Sequence, residues 1–219
     1  MGPMLPPTSV RLLNDAEWKI VERVFTADKL PYRWRLLVTN GAGADGRAFT
    51  IPTSLLTMAL PAAFFSVVMK NPLITAIVAL GSATIGTALS FVNAGYIMRV
   101  GRRFYGDLTE IDLDTQDDDA QALLVHETTH AWQGRNSKLA MTYVWGSVIS
   151  QCSGKASAGT TSAAYSYRIG MPWKDMNPEQ QAKLVEDWFW QDEESTKIKA
   201  SGGSGRYEYV RDYVRRGFV

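Results

Sequence analysis

The two histidines of this 219-residue chain stand four positions apart, in Leu123-Leu-Val-His126-Glu127-Thr-Thr-His130-Ala-Trp-Gln133. On an α-helix that spacing sends both imidazoles off one face. Two nitrogens presented in this way can share one tetrahedral zinc ion at about 2.0–2.1 Å. Glu127, beside the first histidine, is then placed to take a proton from water at the open position. Random placement of the two histidines and the glutamates would produce His-Glu-x-x-His in roughly one such chain in a few thousand. The expected centre is a zinc ion on His126 and His130, with Glu127 as the catalytic base.

A catalytic zinc needs a third protein ligand. The chain has no other histidine and a single cysteine, Cys152. No Gly-x-x-His follows His130, which argues against a third-histidine site. A carboxylate on a later helix is therefore expected, and Asn177-Pro-Glu179-Gln-Gln-Ala-Lys-Leu-Val-Glu186-Asp187-Trp-Phe-Trp190 supplies two. Asn177 reads as the cap and Pro178 as the first helical residue, with Ala182, Val185 and Phe189 at helical period. Glu179, at the helix start, is the expected ligand, and Glu186, two turns along the same face, is the alternative. The carboxylate left over, or Asp187, is expected to orient a ligating imidazole from behind. Tyr165 and Tyr167 precede this helix, and either phenol, close to a metal, could donate to a developing oxyanion. Packing is the competing role for each. Asp112, Asp114 and Asp117 to Asp119 lack the glycine and closing glutamate of a calcium loop, so cap and dipole duties suit them better.

These groups need a frame. The helix that carries the histidines is expected to start at a Thr115 cap and to stop at Gly134. An amphipathic helix is expected over 15–27, capped by Asn14 or Asp15. Strands are expected over 34–39, 47–52 and 96–100, and a short surface helix over 207–219 after the Gly/Ser-rich residues 201–205. The fold class that follows is α+β: a small, mainly antiparallel sheet, an active-site helix and a downstream glutamate helix, within one domain over 11–219. Composition agrees, with 46% hydrophobic and 21% charged residues. A net charge of +1 gives no global field for nucleic acid, and none is expected as a partner. Cys152 has no intramolecular disulfide partner and reads as a small buried residue.

The least ordinary stretch is an apolar insertion over 53–98. Residues 48–69 and 71–98 carry no charge, and Lys70 alone divides them. Each run is long enough to cross a bilayer, which takes about 20 residues. Pro52, Pro61 and Pro72, with frequent Ser, Thr and Gly, suit a buried or partner-binding hairpin equally well. Both readings stand open at this level.

With these residues in view, the chain resembles the zincin metallopeptidases of the gluzincin type. More closely, it is similar to the small metallopeptidase domains attached to, or encoded with, the spike proteins of bacterial type VI secretion systems. The stretches that carry the resemblance are Leu30-Pro-Tyr-Arg-Trp-Arg35, Thr39-Asn-Gly41, Arg47-Ala-Phe-Thr-Ile-Pro52, 123–133, Ala164-Tyr-Ser-Tyr167 and Glu179-Gln-Gln-Ala-Lys-Leu-Val-Glu-Asp-Trp-Phe189. The resemblance implies zinc on His126, His130 and Glu179, with Glu127 as base. It implies a zinc endopeptidase acting on a protein or peptide, as an antibacterial effector with a secretion spike, chaperone or immunity protein as partners. No basic region followed by an apolar run opens the chain. Export without a signal peptide, into the periplasm of a target cell, is the expected route. The resemblance assigns no role to 53–98, which could serve membrane passage, chaperone binding or docking at a target membrane. Two other functions compete: a membrane-inserting toxin whose zinc site is structural or vestigial, and a zinc-binding accessory protein that cuts nothing.

Overall fold

The computed structural model describes residues 10–40, 48–53, 95–101, 118–137, 164–196 and 205–219. Along them run β1 (Val10–Leu12), α1 (Asp15–Val24), β2 (Leu36–Asn40), β3 (Ala48–Pro52), β4 (Tyr96–Val100), α2 (Asp118–Asn136), α3 (Pro178–Thr196) and α4 (Arg206–Asp212). The fold is mixed α+β around a four-stranded sheet of order β1-β2-β4-β3. No described helix is long and apolar enough to cross a membrane. Residues 54–94, the bulk of the apolar insertion, lie outside the described residues, as do Cys152, Thr115 and residues 201–204.

Local chemistry explains where α1 starts. Asn14 accepts from Glu17 N at 2.8 Å, and Asn14 N donates back to Glu17 Oε2 at 2.7 Å, a reciprocal capping box. The same carboxylate takes both terminal nitrogens of Arg11, at 2.8 and 2.7 Å. Glu17 is fully buried, so one carboxylate caps α1 and ties it to β1. The helix ends three residues earlier than its periodicity suggests. At Phe25 the backbone turns extended, which brings the ring to 6.4 Å from Trp132 in the core.

β1 pairs antiparallel with β2, and β3 pairs antiparallel with β4, but the central pair β2–β4 is parallel. The expected strand over 34–39 begins at Leu36, because Arg33–Arg35 close a 3-10 turn instead. Strand β1 has only three residues, too few to show an alternation. Where the apolar insertion leaves and rejoins the sheet, Thr53 N and Oγ1 both donate to Gly95 O, at 2.8 and 3.1 Å. Its two ends therefore meet at a closed stem on β3 and β4.

Helix α2 runs beneath the sheet, and every residue from Leu124 to Gly134 is buried. It passes through the expected stop at Gly134 and ends at Asn136. There the side chain of Asn136 donates to Trp132 O, and Ser137 Oγ donates to Gln133 O, which satisfies the last carbonyls. The C-terminal segment is docked rather than superficial. Val210 and Val214 are fully buried, and Tyr213 stacks on Trp173 with centroids 5.4 Å apart. Arg215 Nη2 donates to Arg23 O, and Thr26 Oγ1 donates to Arg215 O, which fastens the segment to the end of α1. One apolar cluster joins the sheet and all four described α-helices, from Leu13 to Val214.

Glu17→Ala removes a cap and leaves Arg11 without its carboxylate in a part-buried setting. It is expected to destabilise the fold by about 3 kcal/mol, read from the midpoint of urea unfolding.

Candidate metal centre

Helix α2 brings His126 and His130 to one face, and α3 lies against it. The start of α3 is fixed by a second capping box: Asn177 Oδ1 accepts from Gln180 N at 3.0 Å, and Asn177 N donates to Gln180 Oε1 at 2.9 Å. Glu179 is therefore held in the first turn, where a carboxylate also gains from the helix dipole. Its Oε2 lies 3.4 Å from His126 Nε2 and 3.4 Å from His130 Nε2. Direct charge-assisted N–H···O contacts are shorter, at about 2.7–2.9 Å. The observed spacing instead matches the edge of a tetrahedron with bonds of about 2.0–2.1 Å, which is roughly 3.3 Å. All three ligand atoms lie within 4.8 Å of one another, and the three residues are buried. This group could hold a metal ion.

The far side of each imidazole is also engaged. His126 Nδ1 meets Glu186 Oε2 at 2.8 Å, and His130 Nδ1 meets Gln133 Oε1 at 2.8 Å. Glu186 thus sits behind His126 while Glu179 faces both Nε2 atoms, which separates the two carboxylates that spacing alone left as alternatives. Lys183 Nζ donates to Glu186 Oε1 at 2.6 Å and lies 3.0 Å from Asp187 Oδ1. Asp187, an expected partner for an imidazole, is instead occupied by Lys183 and by the hydroxyl of Tyr167, which donates to Oδ2 at 2.7 Å.

The two tyrosines divide. The ring of Tyr165 lies 6.0 Å from that of His126, close enough for its phenol to feel the Glu179 carboxylate. Burial and then the carboxylates of Glu179, Glu127 and Glu186 push its pKa up, so the phenol keeps its proton. Tyr167 turns away from the cluster. Its hydroxyl donates to Asp187 and accepts from Arg206 Nε at 2.7 Å, so it braces α3 against α4.

Glu127 is buried beside the cluster. Thr50 Oγ1, on β3, lies 2.6 Å from Glu127 Oε2 and 3.0 Å from Glu127 O. Burial raises the Glu127 pKa, while the two imidazoles and Thr50 pull against that rise. Burial pulls the other way on His126, but the Glu179 and Glu186 carboxylates more than offset it and raise its pKa to about 10. His130 moves upward for the same reason, chiefly through Glu179. Burial would raise Glu179, yet His130 and His126 hold it well below the ordinary carboxylate range.

Thr50 and Gln133 carry no motif of their own in the sequence. Gln133 lies three residues past His130, on the same helix face, and that spacing is the only signal that could have marked it. The chain matches no family model, no curated protein and no solved structure.

Two outcomes follow. Glu179→Ala should abolish stoichiometric metal binding, whereas Glu186→Ala should keep the stoichiometry and weaken affinity about 10–100-fold, measured by chelator competition. In the metal-free protein His126, raised to about 10, holds its proton at neutral pH, and the Glu179 carboxylate pushes His130 in the same direction. Metal uptake should therefore release at least the His126 proton, and affinity should climb as pH rises toward 10. Calorimetry in buffers of different ionisation enthalpy measures that release directly, and uptake without it would contradict the assignment.

Proposed function

We propose that this protein is a zinc-dependent metallopeptidase. The observation that carries the reading is the convergence of His126 Nε2, His130 Nε2 and Glu179 Oε2, with the buried Glu127 carboxylate beside them. Two imidazoles and one carboxylate form a ligand set that suits catalytic zinc and leaves a coordination position for a reactant. Zinc, when bound there, supplies Lewis acidity that acidifies water and polarises a carbonyl.

The chain's own residues supply the rest. Glu127, its pKa raised by burial, accepts a proton at its carboxylate from the attacking water and passes it to the nitrogen of the leaving amine. Thr50 Oγ1, donating to Glu127 Oε2, holds that carboxylate in place against the sheet. Tyr165, neutral and beside Glu179, is the donor to the oxyanion that develops on the substrate carbonyl. A peptide substrate is supported by β3, an edge strand of the described sheet that joins α2 through Thr50. Extended chains pair with such edges through main-chain hydrogen bonds, and Pro52 at the end of β3 is tolerated there because edge positions need no inward donor. The wider role, an antibacterial effector delivered by a type VI spike into a target periplasm, rests on the sequence stretches that resemble those peptidase domains.

Glu127→Gln should keep zinc at wild-type stoichiometry and lower cleavage of an unfolded protein substrate by about 10²–10⁴-fold. Cleavage at the wild-type rate in a zinc-loaded Glu127→Gln protein would remove the peptidase reading. Tyr165→Phe should lower kcat by roughly 10²-fold with little change in KM, since the lost interaction belongs to the transition state.

A further inference from the structure

Gln133 is fully buried, one turn beyond His130, and the chemistry above gives it no task. Its carboxamide makes three hydrogen bonds. Nε2 donates to Pro178 O and to Gln181 Oε1, each at 2.9 Å, while Oε1 lies 2.8 Å from His130 Nδ1. The sense of this network is set from its far end. Gln181 Nε2 donates to the main-chain carbonyl of Trp173 at 3.2 Å, which turns the Gln181 oxygen toward Gln133. A Gln133 amide rotated by half a turn would set oxygen against oxygen at both Pro178 and Gln181. Carbonyl oxygens only accept, so that orientation loses two hydrogen bonds in a buried setting. Gln133 therefore presents its own oxygen to His130. The partner that completes this contact is an Nδ1–H, and a neutral imidazole with its proton on Nδ1 has its lone pair on Nε2.

We propose that Gln133 is a positioning residue for the metal: the one-way chain from Trp173 O through Gln181 and Gln133 locks His130 in the tautomer that offers Nε2 to zinc. The inference rests on the zinc reading of the cluster but not on peptidase activity. It also distinguishes the two ligating histidines. His126 is braced by a carboxylate that adds negative charge, whereas His130 is braced by a neutral amide that adds none.

The full chain, zinc-loaded and ¹⁵N-labelled, has only two histidines, so its imidazole ¹H–¹⁵N spectrum carries two Nδ1–H signals to follow. In Gln133→Leu the His130 signal should move upfield and exchange faster with water while the His126 signal stays. Chelator competition should show a zinc Kd raised about 10–100-fold. Gln181→Leu, which leaves Gln133 and His130 untouched, should move the same signal in the same direction by less. It also decides the matter if Gln133→Leu does not fold. An unmoved His130 signal with wild-type zinc affinity, in either folded variant, overturns the proposal. A wild-type protein that binds zinc and cuts no substrate removes only the peptidase reading, and one that binds no zinc overturns both.

Discussion

The packing of α3 on α2 is the constraint from which the rest of the structure follows. It brings a carboxylate to within 3.4 Å of two imidazole nitrogens that leave the same helix face. Burying these groups together is costly unless each polar atom finds a partner, because desolvation of a charged group exceeds the gain from a single hydrogen bond. The molecule meets that cost with rigidity. The helix start is fixed by the Asn177–Gln180 box, and apolar side chains of both helices, among them Trp132, Leu184 and Val185, are sealed in one cluster with the sheet. A shift of α3 by a fraction of a turn would remove Glu179 from both nitrogens at once.

Around that contact, polar groups are arranged in two separate supports. One runs from His126 through Glu186, Lys183 and Asp187 to Tyr167 and Arg206, so a residue of the C-terminal helix is connected by hydrogen bonds and an ion pair to an imidazole near the middle of the chain. The other runs from His130 through Gln133 and Gln181 to backbone carbonyls. Neither support is exposed enough to be treated as ordinary surface charge, which contributes little. The docking of α4 through Val210, Val214 and Tyr213 thus has a consequence for the centre as well as for the core.

His126, Glu127, His130 and Glu179 were legible in the sequence because their spacing obeys helical geometry and their residue types suit one ion. Asn177 and Pro178 marked the start of α3 for a similar reason, as capping is a local matter of three or four residues. The structure departs from the sequence reading where tertiary contacts decide. Helix α2 passes Gly134 because Asn136 and Ser137 close it, and α1 stops early because Phe25 is needed in the core. The parallel register of β2 on β4 leaves no mark in either strand alone, since strand direction is set by which neighbour each one pairs with and not by its own residues. Tyr165 and Tyr167 are two residues apart and look equivalent in sequence. Only the placement of Arg206 and Asp187 separates the one that brackets the centre from the one that braces a helix pair.

Charge balance ties these observations together and is consistent with a group that could hold a metal ion. Within the described hydrogen-bonded cluster, Glu127, Glu179, Glu186 and Asp187 can carry negative charge, and Lys183 and Arg206 carry positive charge. With neutral imidazoles this leaves an excess of two negative charges in a buried region. The carboxylates around the imidazoles favour positive charge there and push the pKa values of His126 and His130 up despite burial. A divalent cation bound by His126, His130 and Glu179 would supply positive charge to the same carboxylates. It would also lower the cost of an ionised Glu127. The upward push on both imidazoles and the suitability of the cluster for a cation thus share one cause, the carboxylates of Glu179 and Glu186 held against His126 and that of Glu179 against His130.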